Sequence, residues 1–414
     1  MPALQPVRGT HDLLPDDNCR HRRVVEIARD FAERYGFEEM VTPIFEFTEV
    51  FARSIGETSD IVSKEMYTFE DRGGERVTLR PEATAGIVRA FISNGLHQNL
   101  PLKYFYHGPM FRYERPQKGR LRQFHQIDVE ILGVAGPQAD IEVIAIGRDI
   151  IDGLGIGADV TLELNTLGDS ESRRAYRGVL VDYLSQHKDK LSKDSLDRLE
   201  RNPMRILDSK DEGDRRIVAN APVYSDYLND ASRRFFLAVR DGLDRLGIKY
   251  TINPRLVRGL DYYCHTCFEF TTTALGAQGT VLGGGRYDGL IKLMGGPETA
   301  GIGWAAGIER LAMMLSEAPR AMRPIALVPI GEAADVRAIT LAHELRQAGY
   351  RVEHGYGGNT GKRMKRANKL NARAAVLIGD DELQRNAATV RDLDTGEQTD
   401  VPLSELTGRL ARFK

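Results

Sequence analysis

Cysteine is scarce in this 414-residue chain, which contains Cys19, Cys264 and Cys267. Three cysteines cannot build a disulfide framework of the kind that stabilises small secreted domains, and their scarcity fits a reducing compartment. Cys264 and Cys267 form a CxxC pair, but the aromatic and β-branched residues around them predict a strand, in which positions three apart face opposite sides. We therefore expect these cysteines to pack rather than bind a metal ion, and we expect no metal cage made of protein ligands alone.

Long apolar runs and a strong net charge are also missing. No apolar run approaches the length of about 18 residues that a membrane span needs. The N-terminal MPALQPVRG lacks the apolar stretch of a signal peptide. We therefore expect a cytoplasmic protein without a membrane partner. The net charge of −2 gives no global attraction to nucleic acid. A local basic run does exist, because KRMKRANKLNAR (362–373) has six basic residues and no acidic one.

Residues 111–130, FRYERPQKGRLRQFHQIDVE, are the most informative part of the chain. If residues 120–130 form a strand, alternate side chains share a face. One face is then largely apolar, and the other carries Arg120, Arg122, Phe124, Gln126, Asp128 and Glu130. Guanidinium groups bind phosphate oxygens, and aromatic rings stack on bases, so this order suits a nucleoside triphosphate beside a small ligand. The alternative interpretation is a solvent-exposed ladder of ion pairs on a hairpin.

The same stretch carries a family resemblance. FRYERPQKGRLRQF (111–124) resembles motif 2 of the class II aminoacyl-tRNA synthetases, in the form found in histidyl-tRNA synthetases. Further strings occur in that family's order across nearly the whole chain: RGTHDLLP (8–15), the motif 1-like YGFEEMVTPIFE (35–46), TLRPEAT (78–84), LVRGLDYY (256–263) and GIGWAAGIERL (301–311). Other class II synthetases share the motif 2 and motif 3 chemistry but not LVRGLDYY.

The resemblance implies ATP-dependent ligation of L-histidine to tRNA(His) through a histidyl-adenylate, with release of pyrophosphate and AMP. It implies Arg112 and Arg258 as catalytic residues that hold the α-phosphate from two sides. The implied ATP-binding residues are Arg112, Glu114, Arg120, Arg122, Phe124 and Arg310, and Mg²⁺ is expected to bind through the ATP phosphates. The implied histidine-binding residues are Glu82, Thr84, Gln126, Glu130, Tyr262, Tyr263 and Tyr287. The implied tRNA-binding residues are Arg115, Gln117, Lys362, Arg363, Lys365 and Arg366.

Several of these residues also have a structural explanation. Arg258 could simply pair with Asp261, Glu82 could complement the dipole of a helix that starts near Pro81, and Glu130 could pair with an arginine in the core. The glycines 283–285 could let a ligand approach the backbone, although a tight turn is the default interpretation.

The predicted fold class is α+β. The resemblance implies a class II synthetase domain over residues 1–322, with an antiparallel sheet, helices and a helical insertion at about 170–232. It also implies an anticodon-binding domain over residues 323–414. Beyond the proline-bearing EAPRAMRP (317–324), the pattern of strands and helices itself predicts a small α/β domain with a largely parallel sheet. The motif 1-like segment implies a homodimer.

Two alternative functions remain open at this point. One is the synthetase-like regulatory subunit of ATP phosphoribosyltransferase, which binds histidine without catalysing ligation; it would be expected to lack LVRGLDYY and usually the anticodon-binding domain. The other is a prolyl- or threonyl-tRNA synthetase, whose pocket should lack the carboxylate and tyrosine suited to an imidazole ring.

Overall fold

The computed structural model describes residues 3–56, 59, 61–258, 262–276, 279–316 and 322–413. The chain divides into two compact units, Met1–Ala318 and Pro319–Lys414. Within the described segments, no helix combines the length and the apolar character needed to cross a membrane.

The first unit is built on an antiparallel sheet. Its strands are β1 (Glu38–Glu39), β2 (Phe45–Phe47), β3 (Tyr67–Glu70), β4 (Arg76–Leu79), β5 (Leu102–Phe111), β6 (Gln123–Leu132), β7 (Thr161–Thr166), β8 (Thr251–Ile252), β9 (Cys264–Thr271), β10 (Thr280–Arg286) and β11 (Gly301–Gly307). The main sheet has the order β1-β5-β6-β11-β10-β9-β7-β8, and β2, β4 and β3 form a small sheet. Neighbours in the main sheet are antiparallel, except that β1 is parallel to β5 and β7 is parallel to β8.

The helices of this unit are α1 (Pro15–Arg34), α2 (Thr48–Ile55), α3 (Thr84–Ser93), α4 (Pro137–Gly153), α5 (Ser170–Ser185), α6 (Lys193–Arg201), α7 (Glu212–Val218), α8 (Asp230–Arg245), α9 (Leu290–Leu293) and α10 (Ile308–Met314). The mixture of these helices with a mostly antiparallel sheet confirms the predicted α+β class.

The alternation of side chains along β6 determines which face of the main sheet can bind a ligand. Ile127, Val129 and Ile131 are buried in the main hydrophobic core, together with residues of α1, α4, α8 and α10. Residues between them in the strand point to the opposite face. That face packs against a smaller core that includes residues of α3, and it carries Gln126 and Glu130.

The helical region after β7 packs in a cluster that it shares with Leu256, Val257 and Cys267. Tyr176, Leu180, Leu199 and Ile206 of this region are buried together. The helix α8 spans the predicted end of the insertion at residue 232, but Val239 and its neighbours pack in the main core of the first unit. The helices α5 to α7 therefore pack in this shared cluster, whereas α8 packs in the main core.

The second unit contains β12 (Ile325–Pro329), α11 (Glu332–Gln347), β13 (Val352–His354), α12 (Thr360–Lys369), β14 (Ala374–Ile378), α13 (Asp380–Gln384), β15 (Ala387–Asp392), β16 (Gln398–Pro402) and α14 (Leu406–Leu410). Its sheet has the order β13-β12-β14-β15-β16. β13, β12 and β14 are parallel, as predicted, but β15 and β16 pair antiparallel to their neighbours. The sheet is therefore mixed: the short helix α13 connects β14 to its antiparallel neighbour β15, and a short turn connects β15 to β16.

Candidate active site

A cavity of about 210 Å³ lies on the face of the main sheet that carries Gln126 and Glu130. It is lined by residues from β6, β10 and β11, from the start of α3, and from the segments around Arg112 and Arg258. Most of the residues predicted from the sequence to bind ATP or histidine line it: Glu82, Thr84, Arg112, Glu114, Arg120, Phe124, Gln126, Glu130, Arg258, Tyr262, Tyr263, Tyr287 and Arg310. Residues far apart in the chain therefore share one cavity.

Arg112 follows β5 and is held by a hydrogen bond that its Nε donates to the backbone carbonyl of Pro81, at 2.8 Å. Its guanidinium carbon lies 5.2 Å from the centre of the Phe124 ring. Burial lowers the pKa of Arg112 from its ordinary value. Glu65, Glu82 and Asp128 are the acidic groups that act on it, and a guanidinium in a site of low polarity attracts an anionic ligand more strongly than one in water.

Arg258 reaches the cavity from another segment of the chain and forms an ion pair with Glu269 of β9. The hydroxyl of Thr280 also donates to Glu269, at 2.8 Å. Asp261, the partner considered from the sequence, lies outside the described residues. The observed partner Glu269 fixes the guanidinium of Arg258 against the Tyr263 ring, 5.5 Å from its centre.

One end of the cavity is built around the buried carboxylate of Glu130. The hydroxyl of Thr84 donates to it at 2.5 Å, and the hydroxyl of Tyr287 donates to its other oxygen. Burial raises the pKa of Glu130 to about 8. Gly303 of β11 makes room for this carboxylate, because a Cβ atom there would lie 1.7 Å from a Glu130 oxygen.

Glu82 combines a structural role with a position in the cavity. Its carboxylate accepts hydrogen bonds from the backbone N–H groups of Thr84 and Ala85, at 2.9 and 2.8 Å, at the start of α3. The sequence-based explanation of Glu82 as a helix-start residue is therefore correct, although the helix begins at Thr84 rather than near Pro81. Burial raises the pKa of Glu82, so a cationic ligand would favour its ionised form.

The other end of the cavity contains two cations, Arg120 and Arg310. Arg120 pairs with Glu114. Arg310, at the start of α10, donates to the backbone carbonyls of Gly119 and Thr280 at 2.9 and 2.7 Å. These contacts hold both guanidinium groups at the wall of the cavity, which Phe124 also lines. Of the ladder of ion pairs considered from the sequence, the structure contains the pair between Arg120 and Glu114.

Arg122 does not belong to the cavity, contrary to the sequence-based expectation. β6 begins at Gln123, so the alternation of a strand does not extend back to residues 120–122. The guanidinium of Arg122 instead stacks on Tyr113, with 3.9 Å between its central carbon and the ring centre, and donates to the carbonyl of Glu114.

Asp128 is also absent from the lining of the cavity, although it lies on the same strand as Glu130. It is 1% exposed. Burial, together with the nearby charges of Glu130 and Glu82, raises the pKa of Asp128 well above its usual range. Its side chain is therefore buried outside the lining of the cavity rather than facing a ligand.

Two residues that shape the site, Glu269 and Gly283, cannot be assigned to it from the sequence. Glu269 gave no signal, because it lies within an ordinary β-strand pattern. Gly283 was noticed as part of the glycines 283–285, but these residues lie in β10 rather than in a tight turn. A Cβ atom at Gly283 would lie 2.6 Å from a nitrogen of Arg258, so the absence of a side chain makes space for that guanidinium.

The residues predicted to contact tRNA fall into two groups. Arg115 and Gln117 are exposed in the loop between β5 and β6. In the second unit, Lys362 and Lys365 are exposed on α12, and Arg366 is exposed but pairs with Glu353.

Arg363 does not belong with the exposed residues of α12. It is 9% exposed, donates to the carbonyl of Pro329 and pairs with Asp335 at 2.9 Å. Its side of α12 packs against the sheet of the second unit, which the basic run alone could not reveal.

The two cysteines of the CxxC pair have different surroundings. Cys267 is fully buried, and the charged groups that act on it are Arg258 and Glu269. Cys264 is partly exposed, and Asp288 and Arg286 act on it. Burial raises the pKa of both thiols to about 12, so neither is a ready thiolate ligand.

Comparison with known proteins agrees with this geometry. Residues 9–311 match the family model described as histidyl-tRNA synthetase, and residues 325–412 match the anticodon binding domain. The chain is 62% identical over 414 residues to the histidine–tRNA ligase of Rhodospirillum rubrum, with 100% of both chains covered. It is 58% identical over 411 residues to the enzyme of the same name from Gluconacetobacter diazotrophicus, with 99% of both covered.

The crystal structure of apo S. aureus histidyl-tRNA synthetase superimposes with a TM-score of 0.83 at 36% identity, covering 98% of this chain and 99% of that one. Sequence motifs, fold, cavity and relatives agree over nearly the whole length. The chain belongs to the histidyl-tRNA synthetase family.

Proposed function

We propose that this protein ligates L-histidine to tRNA(His) in two steps. The carboxylate of histidine first attacks the α-phosphorus of ATP and releases pyrophosphate, and the histidyl group then passes to the 3′ end of the tRNA with release of AMP. The observation that carries this proposal is the convergence of Arg112 and Arg258 on one cavity whose other end holds the buried carboxylate Glu130.

The two arginines are suited to the first step. As the histidine carboxylate approaches the α-phosphate, negative charge accumulates between two anions. Arg112 and Arg258 reach this region from different segments and need little reorganisation, because Pro81 and Glu269 already hold them. In phosphoryl-type transfers, positioning and charge stabilisation supply most of the catalysis, so no acid–base side chain is required here.

ATP binding would use the cations at the other end of the cavity. Arg120 and Arg310 would contact the terminal phosphates, and Phe124 would stack against the adenine. Mg²⁺, when bound, neutralises phosphate charge. The carboxylates near this end already have partners, Glu114 with Arg120 and Glu269 with Arg258. We therefore propose that Mg²⁺ is held by phosphate oxygens rather than by protein ligands alone.

Selection of histidine would rest on hydrogen bonds to its ring. We propose that Glu130 accepts from one ring N–H and that Tyr263 satisfies the other nitrogen, while Tyr262 and Tyr287 enclose the ring. Glu82, Thr84 and Gln126 would bind the ammonium group. A ligand without ring nitrogens would leave the buried carboxylate without its additional donor, which costs about 1–3 kcal/mol.

Transfer to tRNA would involve both units. The exposed Arg115 and Gln117 would contact the acceptor end, and α12 would contact the anticodon through Lys362 and Lys365. Both contacts place positive or polar side chains against a nucleic acid backbone and unpaired bases. Since tRNA is charged where translation occurs, we propose a cytoplasmic location.

We also propose a homodimer formed through the motif 1-like segment. Val41, Phe45 and Phe47 are 74%, 56% and 53% exposed in the single chain. An apolar surface of this kind is typical of protein interfaces. A second copy of the chain packed against this segment would bury these side chains.

ATP–pyrophosphate exchange tests the proposed reaction. The protein is assayed with histidine, proline and threonine in turn. We expect exchange with histidine alone, and charging of tRNA(His) when the tRNA is added. Exchange driven by proline or threonine would identify a different synthetase, and histidine binding without any exchange would favour the regulatory-subunit alternative. The chain has both features expected to be missing from that subunit, namely LVRGLDYY and the matched anticodon binding domain.

A further inference from the structure

Three side chains that the proposed reaction does not use lie together beside the cavity. They are His21 of α1, His125 of β6 and Glu309 of α10. One nitrogen or oxygen atom from each lies within 4.8 Å of the other two. Among the described residues, this is the group of histidine, cysteine and carboxylate side chains that comes close enough to hold a metal ion.

Glu309 connects the three elements. Both of its carboxylate oxygens accept from the backbone N–H of His125, at 2.9 and 3.0 Å, and Oε1 lies 2.8 Å from Nδ1 of the His125 ring. The 2.8 Å contact is a hydrogen bond from the His125 ring when Nδ1 carries the ring proton, and it holds the imidazole nitrogen beside the carboxylate.

The Nε2 atom of the His21 ring completes the group. Nε2 of His21 lies 3.7 Å from Oε1 of Glu309, which is too far for a hydrogen bond. It has no hydrogen-bond partner although the residue is only 8% exposed. A buried polar atom without a partner is unusual in a folded protein and requires an explanation.

We propose that His21, His125 and Glu309 bind a divalent transition-metal ion of the zinc class. Two imidazole nitrogens and one carboxylate oxygen form a known ligand set for such ions, and they leave a fourth position for water. The three atoms lie within 4.8 Å of one another, so His21 has to move toward the other two before all three reach metal–ligand distances of about 2.0–2.2 Å. Coordination by Nδ1 of His125 requires the ring proton to be on Nε2.

The fourth position has a route to solvent. Glu309 and His21 both line an open groove that also contains Asp17, Lys118 and Met313. Glu309 lines the candidate active site as well. A bound ion would therefore be reached through the groove, and it would fix Glu309 next to Arg310. The site depends on these three residues alone and does not rest on the proposed ligation reaction.

Titration of the full-length protein with Co²⁺ tests this proposal, because the visible absorption of Co²⁺ reports its ligands. The protein is first treated with a chelator and kept free of histidine, which would itself bind the ion. We expect one Co²⁺ per chain with the spectrum of nitrogen and oxygen ligands, and displacement by Zn²⁺. His21→Ala should weaken binding at least about tenfold, since even loss of a residue that supports a ligand costs 10–100-fold.

His97→Ala is the matched control, because His97 is an exposed histidine elsewhere in the first unit. The His97→Ala variant should bind Co²⁺ with the same affinity as the unchanged protein. Thermal unfolding without metal shows whether each variant is folded. If His21→Ala does not fold, Glu309→Gln serves instead, because the amide oxygen can still accept from the backbone of His125 while the anionic ligand is lost.

Three results would overturn the proposal. They are the absence of Co²⁺ binding at millimolar concentration, equal affinity in the folded His21→Ala and Glu309→Gln variants, and loss of binding in Cys19→Ser but not in His21→Ala. Cys19 is the relevant thiol control because it lies two residues from His21 on α1.

Discussion

Replacing Arg258 by alanine separates its chemical role from its structural role. We expect histidine-dependent ATP–pyrophosphate exchange to fall about 10²- to 10³-fold, as when one donor of an oxyanion site is removed. At about 1.4 kcal/mol per factor of ten, this corresponds to about 3–4 kcal/mol of transition-state stabilisation. The reason is that Arg112 alone would then oppose the charge that accumulates around the α-phosphorus.

The same change has a predictable effect on folding. The side chains of Arg258 and Glu269 are 17% and 19% exposed, so their ion pair is largely buried. Removing one member of a buried pair costs about 3–5 kcal/mol. We expect about 2–3 kcal/mol from the same principle, because the Thr280 hydroxyl still donates to Glu269 and both groups retain some water. Urea denaturation measures this free energy of unfolding.

The double variant Arg258→Ala/Glu269→Gln distinguishes the two effects. Neutralising Glu269 removes the unpaired buried charge, so stability should partly return, whereas exchange activity should stay low. Recovery of exchange in the double variant would refute the reasoning, because Arg258 would then act only through stability. Exchange at the level of the unchanged protein in Arg258→Ala would refute it as well.

Four further predictions concern Glu130, Gly303 and the exposed lysines of α12. Glu130→Gln should raise the KM for histidine at least about tenfold and leave the KM for ATP unchanged in the exchange assay, since it removes the carboxyl group that pairs with the histidine ring. Because the pKa of Glu130 is raised from 4.5 to about 8, its contribution to stability is complete below pH 4.5 and is lost as the pH rises through 8. Between pH 5.5 and 7.5, the free energy of unfolding should therefore fall more steeply in the unchanged protein than in Glu130→Gln. The difference in slope is up to about 1.4 kcal/mol per pH unit, and urea denaturation at the two pH values measures it. Gly303→Ala should abolish histidine binding, measured by calorimetry, because its Cβ would overlap Glu130 and the backbone carbonyl of Val129; normal binding would contradict the assigned position of Glu130. Lys362→Ala/Lys365→Ala should raise the KM for tRNA without changing exchange, and an unchanged KM would argue against α12 as a tRNA contact.

Much of the fold follows from patterns that are local in sequence. The alternation after Gln123 and the hairpin on its N-terminal side identify β6 and its two faces, and the alternation of strands and helices after residue 324 identifies the small α/β unit. The exact extent of β6 and the antiparallel placement of β15 and β16 depend on tertiary pairing, which local patterns do not contain.

The candidate site was predictable where its residues lie in distinctive strings and not where they act through partners. Arg112 and Glu130 are found from the stretch 111–130, and Arg258 from LVRGLDYY. Glu269 is recognised only when the fold brings β9 to Arg258. The alternation of a strand wrongly predicts Arg122 on the ligand-binding face, because β6 begins only at Gln123.

A crystal structure of the protein with a non-reactive analogue of histidyl-adenylate tests the central claim most directly. We expect both Arg112 and Arg258 to contact the phosphate group of the analogue and the carboxylate of Glu130 to contact its imidazole ring. An analogue bound with its phosphate away from either guanidinium, or with its ring outside the pocket of Glu130, would contradict the account.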